Sequence, residues 1–392
     1  MKEIECDILV VGAGPSGSSA AWSSAKEDLD VMILEEKKIP TKDACAETLS
    51  KGFLKYVPFK IPDRFLKREL NGLKFYYENF QITRDEGIWW KSYPLDRKKF
   101  DPFVLDLAIN EGANYLPLTK FIDLQYDNNY MVKKVTVKNL KNNELIKIKP
   151  KILIAADGTQ SEVLKSIGKI TKQNTAIGFI KSYEFENLNL DDSYYGHVFF
   201  GEFADGAYGY IFPKSETSAN IGIATLSDRD IDLKFKEFLN IIKEQVKDSK
   251  MVIDRSGKAP IKNPSEKISY GNILFTGDAA NQNIKPFVEG IIPGITCGSL
   301  AGESAANCLT RIEELESTYL KMIEGKMGDI FTESDKLESA LVATYENKST
   351  FRFLLAFGIF SDKLNYKDLV KLEELNDKEA DLFIKEKLNL NP

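Results

Sequence analysis

The stretch CDILVVGAGPSGSSAA, residues 6–21, constrains this chain more than any other. Ile8 to Val11 are continuously apolar, as expected of a strand buried on both faces of a parallel sheet. Gly12, Gly14 and Gly17 then give the spacing G-x-G-x-x-G, with Pro15 and Ser16 opening a helix of small residues. Glycines there permit a tight turn and let backbone N–H groups approach a pyrophosphate at the positive end of the helix. Such a turn alone is a weak signal, so its context decides. VMILEE (Val31 to Glu36) reads as the next strand, and Glu35 lies 18 residues after Gly17, where an acid can accept ribose hydroxyls. The pattern predicts a dinucleotide site.

Two later stretches choose the dinucleotide. ILIAADGTQSEVLK is an apolar strand ending at Asp157 and Gly158. GNILFTGDAA is another, Ile273 to Thr276, ending at Asp278, with a glycine-containing helix start from Glu289 onward. One strand-end acid could be a helix cap. Three in one chain, each at a glycine-rich turn, point to FAD rather than NAD, because a nicotinamide cofactor would not require the distant Asp278.

Composition bounds the rest. A chain of 392 residues can form two or three domains. With 53 basic and 59 acidic residues interspersed, and no basic stripe, nucleic acid is not expected as the partner. No apolar run is long enough to span a membrane, and because the N-terminus runs straight into an expected strand, no signal peptide is expected. Four cysteines (Cys6, Cys45, Cys297, Cys308) without C-x-x-C spacing suit a reducing cytoplasm. A single histidine, His197, disfavours a His-rich metal site or a Ser-His-Asp triad.

With these stretches assembled, the chain resembles the geranylgeranyl reductase family of FAD enzymes, within the para-hydroxybenzoate-hydroxylase-like superfamily. ACAETLSKG resembles the family's Cys-Gly-Glu/Asp turn, with Cys45 and Glu47 matching and Ala46 and Thr48 in place of glycines. YPLDRKKFD matches Leu-x-Arg-x-x-Phe-Asp, which implies that Arg97 lies near the FAD. YGYIFPKSETSANIGIA resembles Tyr-x-Trp-x-Phe-Pro-Lys followed by Ala-Asn-hydrophobic-Gly, with Tyr210 where Trp is usual. GDAANQNIKPFVEGI matches Gly-Asp-Ala-Ala followed by a Gly-Ile turn at Gly290 and Ile291, with Val288 and Glu289 replacing small residues.

The resemblance implies a mixed α/β fold: a Rossmann-like FAD-binding domain (residues 1–75, 95–170 and 255–310), an inserted antiparallel β-sheet substrate domain (76–94 and 171–254) and a C-terminal helical region (311–392). Aromatic and β-branched runs such as KFYYENFQIT and YYGHVFFGEF suit that sheet. A helix is expected after Arg97, with Pro102 in its first turn, and another over Ile231 to Val246.

It also implies reduction of isoprenoid C=C bonds, in the geranylgeranyl chains of archaeal-type ether lipids, by hydride from reduced flavin plus a proton. Cys45 and Ala46 would adjoin the flavin. Cys45 could donate the proton with Glu47 relaying to it, although a thiol merely packed beside the ring is as good a reading. Tyr208 and Tyr210 could line the substrate cavity, against the commoner core role of strand aromatics. Lys214 could meet a phosphate or solvent, and Cys297 could approach Cys45. The electron donor would be external: NAD(P)H, ferredoxin or a deazaflavin. FRFLLAFGIF (351–360) is a candidate for peripheral membrane contact, against a helix–helix contact. Two rivals remain: an FAD monooxygenase of an aromatic or quinone, disfavoured because no His follows Gly-Asp-Ala-Ala, and a non-catalytic prenyl-binding escort.

Overall fold

The computed structural model describes residues 2–40, 44–77, 80–171, 174, 176–204, 207–262, 264–265, 267–285, 287–343, 358 and 363–389. The apolar run 351–360 therefore lies, apart from Gly358, outside the described residues.

An eight-stranded sheet forms the base. Its path runs Ser269–Tyr270, Ile273–Phe275, Leu145–Ala155, Lys2–Val11, Val31–Glu35, Asn114–Pro117, with the hairpin Thr119–Tyr126 and Val132–Asn139 attached to Leu145–Ala155. Lys2–Val11 pairs in parallel with both Leu145–Ala155 and Val31–Glu35. That double flanking explains the unbroken apolar run: Ile8, Leu9 and Val10 are fully buried because both of their faces are covered. All three strand-end acids consequently emerge at the same edge of this sheet, the carboxyl end where α/β folds bind ligands.

Helices Pro15–Ala25 and Ile291–Asn307 cover one face. They approach so closely that a Cβ on Gly298 would sit 2.1 Å from the Ser16 carbonyl oxygen, and one on Gly302 would sit 2.2 Å from that of Ala20. Ser19 Oγ donates to the Ile295 carbonyl at 2.8 Å, locking the pair. The pairing of 16 with 298 and 20 with 302 makes the helices parallel, so both N-termini lie at the ligand edge.

The second layer is a seven-stranded sheet in the order Lys250–Pro260, Ile177–Glu186, Ser218–Thr225, Gly209–Pro213, Tyr195–Phe200, Gly72–Tyr77, Phe80–Arg84. It is antiparallel except at one place, where Tyr195–Phe200 runs parallel to Gly72–Tyr77. The two strands come from separate excursions of the chain into this layer, so no hairpin forces them into opposite directions. The sheet begins at Gly72 and ends at Pro260, a few residues wider at each side than composition suggests.

Helix Arg97–Asn110 starts at an Asp96 cap whose side chain accepts from Lys98 N, and Pro102 falls in its second turn. The expected helix over 231–246 is broken: Ile231–Ile241 ends at Ile242 and Lys243–Val246 is a separate turn. Phe238 packs on Phe203 with ring centroids 5.1 Å apart and on Phe199 at 5.3 Å, tying that helix to the sheet. The C-terminal helices Leu315–Ala343, Tyr366–Glu373 and Asp377–Lys387 follow. Leu372, Ala380, Ile384 and Leu388 join Phe75, Val198 and Phe200 of the seven-stranded sheet in one apolar cluster. No helix among the described residues is long and apolar enough to cross a membrane.

Candidate active site

Between the two sheets lies a cavity of about 1160 Å³. That exceeds the roughly 300–1,000 Å³ of an ordinary single-ligand site. Every residue singled out above for cofactor, catalysis or substrate lines it except Gly17 and Lys214. Gly17 serves the turn from behind: a Cβ there would sit 1.9 Å from the Gly12 carbonyl oxygen.

One end of the cavity is a dinucleotide cradle. Gly12 holds φ +100°, a region that favours glycine. At Gly14, by contrast, a Cβ would meet nothing within 4 Å, because this glycine opens onto the cavity itself. Glu35 closes the turn: its two oxygens accept from Ala13 N at 2.9 Å and Lys37 N at 2.8 Å, leaving acceptor capacity on both. Asp157 Oδ2 accepts from Val163 N at 3.0 Å, so this acid does serve a helix start, while its buried Oδ1 has no hydrogen-bond partner and suits a ligand hydroxyl. Burial raises its pKa. Asp278 accepts from Thr159 Oγ1 at 3.3 Å and is likewise shifted upward by burial. Gly290 is the N-cap of Ile291–Asn307, which has neither a side-chain cap nor an acid in its first turn. Its leading N–H groups therefore keep their positive end for a ligand.

The other end is apolar. Tyr208, Tyr210, Phe212, Val198 and Phe200 come from the inserted sheet, and Trp89, Trp90 and Phe287 complete the wall. Tyr208 and Phe287 rings lie 5.8 Å apart, and the Tyr208 hydroxyl donates to the Phe287 carbonyl at 2.9 Å.

Cys45 sits at the junction, half-buried, on a cavity wall. Burial raises the thiol pKa, and the Arg97 guanidinium beside it works in the opposite direction. Arg97 is itself held by Asp101 through two bonds of 3.1 and 2.7 Å. Glu47 lies two residues on, and its carboxylate is engaged by three nitrogen donors from the inserted sheet region. Oε2 takes Lys214 Nζ at 2.5 Å and Arg255 Nη1 at 3.0 Å, with Asn220 Nδ2 at 3.4 Å. Asn220 also donates to the Cys45 carbonyl at 2.5 Å. Lys214 thus meets a carboxylate rather than a phosphate or solvent. Cys297 packs against Met327 and Phe331, and all four cysteines are free. His197 is a structural strand residue, bonded to Tyr76 Oη at 2.8 Å and to the Asp192 carbonyl at 2.9 Å.

The geometry now meets known proteins. Residues 178–258 match the model of the geranylgeranyl reductase catalytic domain, and residues 10–56 that of an NAD(P)-binding Rossmann-like domain. The digeranylgeranylglycerophospholipid reductase of Methanocaldococcus jannaschii is 32% identical over 322 residues, 80% of this chain and 80% of that one. Its namesake from Methanosarcina acetivorans is 30% identical over 333 residues, covering 82% and 81%. The chain belongs to the geranylgeranyl reductase family. Among solved structures, a geranylgeranyl bacteriochlorophyll reductase-like protein of Thermoplasma acidophilum has a TM-score of 0.79 at 23% identity, covering 99% of this chain and 97% of that one. A myxobacterial FAD-dependent chondrochloren halogenase has a TM-score of 0.70 at 15% identity over 98% and 97%, a likeness of fold.

This geranylgeranyl reductase family member has a distinctive turn before Gly290. Val288 holds φ +56°, costly for a β-branched residue. Glu289 faces the cavity and is surrounded by protein, and burial pushes its carboxyl up to about 8, while Ser50 N donates to it at 3.4 Å. A residue that sequence reasoning did not single out is Arg255. Its strand has a mostly exposed burial pattern, and only the register places this one charge inward.

Proposed function

We propose that the protein is an FAD-dependent reductase of isoprenoid C=C bonds, acting on geranylgeranyl chains of a digeranylgeranylglycerophospholipid. The observation that carries this is one continuous cavity that joins a dinucleotide cradle to an aromatic channel at Cys45. Gly12, Gly14, Ser16, Glu35, Asp157 and Asp278 would hold the FAD, with Arg97, Gly290 and Ile291 at its ring end. The cavity size, the open face of Gly14 and the orphaned Asp157 Oδ1 fit that group. When bound and reduced, the flavin supplies a hydride equivalent, replenished by an external donor such as NAD(P)H, ferredoxin or a deazaflavin.

The chain's own residues do the rest. The aromatic wall binds the prenyl chain by burial, at about 25 cal/mol per Å², and keeps water from the reacting carbons. The uncapped start of Ile291–Asn307 favours negative charge at the ring end. Cys45, kept protonated by burial, offers its thiol proton to the carbon that does not take hydride, and Arg97 positions it. Glu47 acts through its clamp, holding the Cys45 turn against the inserted sheet.

The test is a visible spectrum of the purified protein, followed by dithionite reduction, addition of digeranylgeranylglyceryl phosphate and mass spectrometry. A flavin spectrum with mass gains of two hydrogens per double bond is expected. Bound flavin without gains would reject the substrate, and absent flavin would reject the cofactor.

A further inference from the structure

The mouth of the apolar channel carries a surface that the catalytic reading leaves unused. In the loop 85–91, Ile88 is 47% and Trp89 50% exposed, adjacent apolar side chains turned to solvent. Trp89 lies on the cavity wall, with Trp90 and Lys91 behind it. From there rings continue inward: Trp90 packs on Phe75 at 5.9 Å, and Phe75 on Phe287 at 6.1 Å.

The loop rests on a segment of unusual charge. Residues 51–69, KGFLKYVPFKIPDRFLKRE, hold six basic side chains against two acidic ones, in a chain whose net charge is −6. Trp89 sits on this segment, 5.3 Å from the Phe53 ring and filling the space over Gly52. Lys55 Nζ lies 5.4 Å from the Trp89 ring and 4.9 Å from that of Tyr56. Lys55, Lys60, Arg64 and Lys67 are exposed, whereas Lys51 is paired with Glu69 at 2.6 Å. An exposed indole with a cation beside it, on a basic segment at an opening, is the kind of arrangement that seats a protein at the headgroup level of a bilayer.

We infer that Ile88, Trp89 and the basic segment 51–69 form a docking surface for an anionic lipid bilayer, which sets the channel mouth against the membrane. This rests on the proposed lipid substrate, because the same opening that touches the bilayer admits the prenyl chain. A substrate with two long hydrocarbon chains is costly to carry through water, and docking at the mouth lets a chain pass from lipid to channel without leaving an apolar environment.

The test is co-sedimentation of the full chain with phosphatidylglycerol and with phosphatidylcholine vesicles, together with quenching of tryptophan emission by brominated lipid. Binding to the anionic vesicles, weakening as salt rises, with quenching, is expected. The double substitution Lys55→Glu and Ile88→Ser changes two charges and removes one apolar contact. It should weaken binding by roughly 30-fold or more, at about 1 kcal/mol per charge near an anionic surface, with flavin content and melting temperature unchanged. No binding to anionic vesicles, or equal binding by the double variant, overturns the inference. Turnover of detergent-dispersed substrate is measured alongside: its failure rejects the reductase reading, whatever the vesicles show.

Discussion

Lys214 Nζ lies 2.5 Å from Glu47 Oε2, a contact between residues 167 apart in the chain. It fastens the cysteine turn to the inserted sheet, and Arg255, only 4% exposed at its side chain, binds the same oxygen. Glu47 also holds φ +57°, so the turn is strained where it is clamped. Removing the carboxylate leaves Lys214 and Arg255 sharing Glu184 alone, at 3.5 and 3.2 Å. Glu47→Ala should therefore cost about 1–3 kcal/mol of stability, checked by denaturant unfolding. A loss below about 1 kcal/mol would show that the clamp is not structural.

Glu289 gives a pH signature. Its folded pKa, pushed up to about 8 by burial, lies above the ordinary value of 4.5. The folded state thus binds this proton more tightly than the unfolded chain, and stability falls as pH rises from about 4.5 to about 8. Asp157 and Asp278 shift in the same direction through burial. Comparison with Glu289→Gln isolates the one group: the variant's melting temperature should decline less across that window and exceed the parent's at pH 9. Parallel curves would place Glu289 in water.

Burial of the Cys45 thiol gives a chemical test. Its raised pKa keeps thiolate scarce, so iodoacetamide should label it slowly at pH 8 and much faster under denaturing conditions. In the holoenzyme, Cys45→Ala should retain flavin and lose turnover by roughly 10²–10⁴-fold, the range of a removed general acid. Unchanged turnover assigns the thiol to packing.

Two glycines should behave oppositely. Gly14 has φ −66°, acceptable to any residue, and open space beyond it. Gly14→Ala should keep the parent's apo melting temperature and bind flavin poorly. At Gly298 the added carbon meets a backbone carbonyl oxygen at 2.1 Å. Gly298→Ala should cost about 1–3 kcal/mol through overpacking, visible as a lower melting temperature even without flavin.

What could be read in advance divides along physical lines. The cradle from Ile8 to Glu35 was legible because local pattern alone dictates it: a doubly covered strand, a turn that needs glycine at 12 and 17, and an acid one strand later. The helix at Arg97 was legible from its apolar face. Its neighbour at 231–246 was legible as amphipathic, but the break at Ile242 depends on packing that periodicity does not record. Arg255 was invisible because an arginine in a strand looks solvated until the register shows which face it occupies. The parallel pairing of Tyr195–Phe200 with Gly72–Tyr77 was invisible too, since it joins segments more than a hundred residues apart. Val288 and Glu289 were visible as departures, but not the backbone strain or the burial that gives them meaning.

The glycine contacts between Pro15–Ala25 and Ile291–Asn307 have one more consequence. Those helices touch through main chain, at Ser16 and Ala20, so the gap between the pyrophosphate turn and the Gly290 turn is set by atoms every residue shares. Because a Cβ at 298 or 302 would meet that main chain, any residue other than glycine there would push the two turns apart. The two turns behave as the fixed jaws of a gauge, cut to one cofactor length, while the sheet opposite is left to vary with whatever chain the enzyme is asked to reduce.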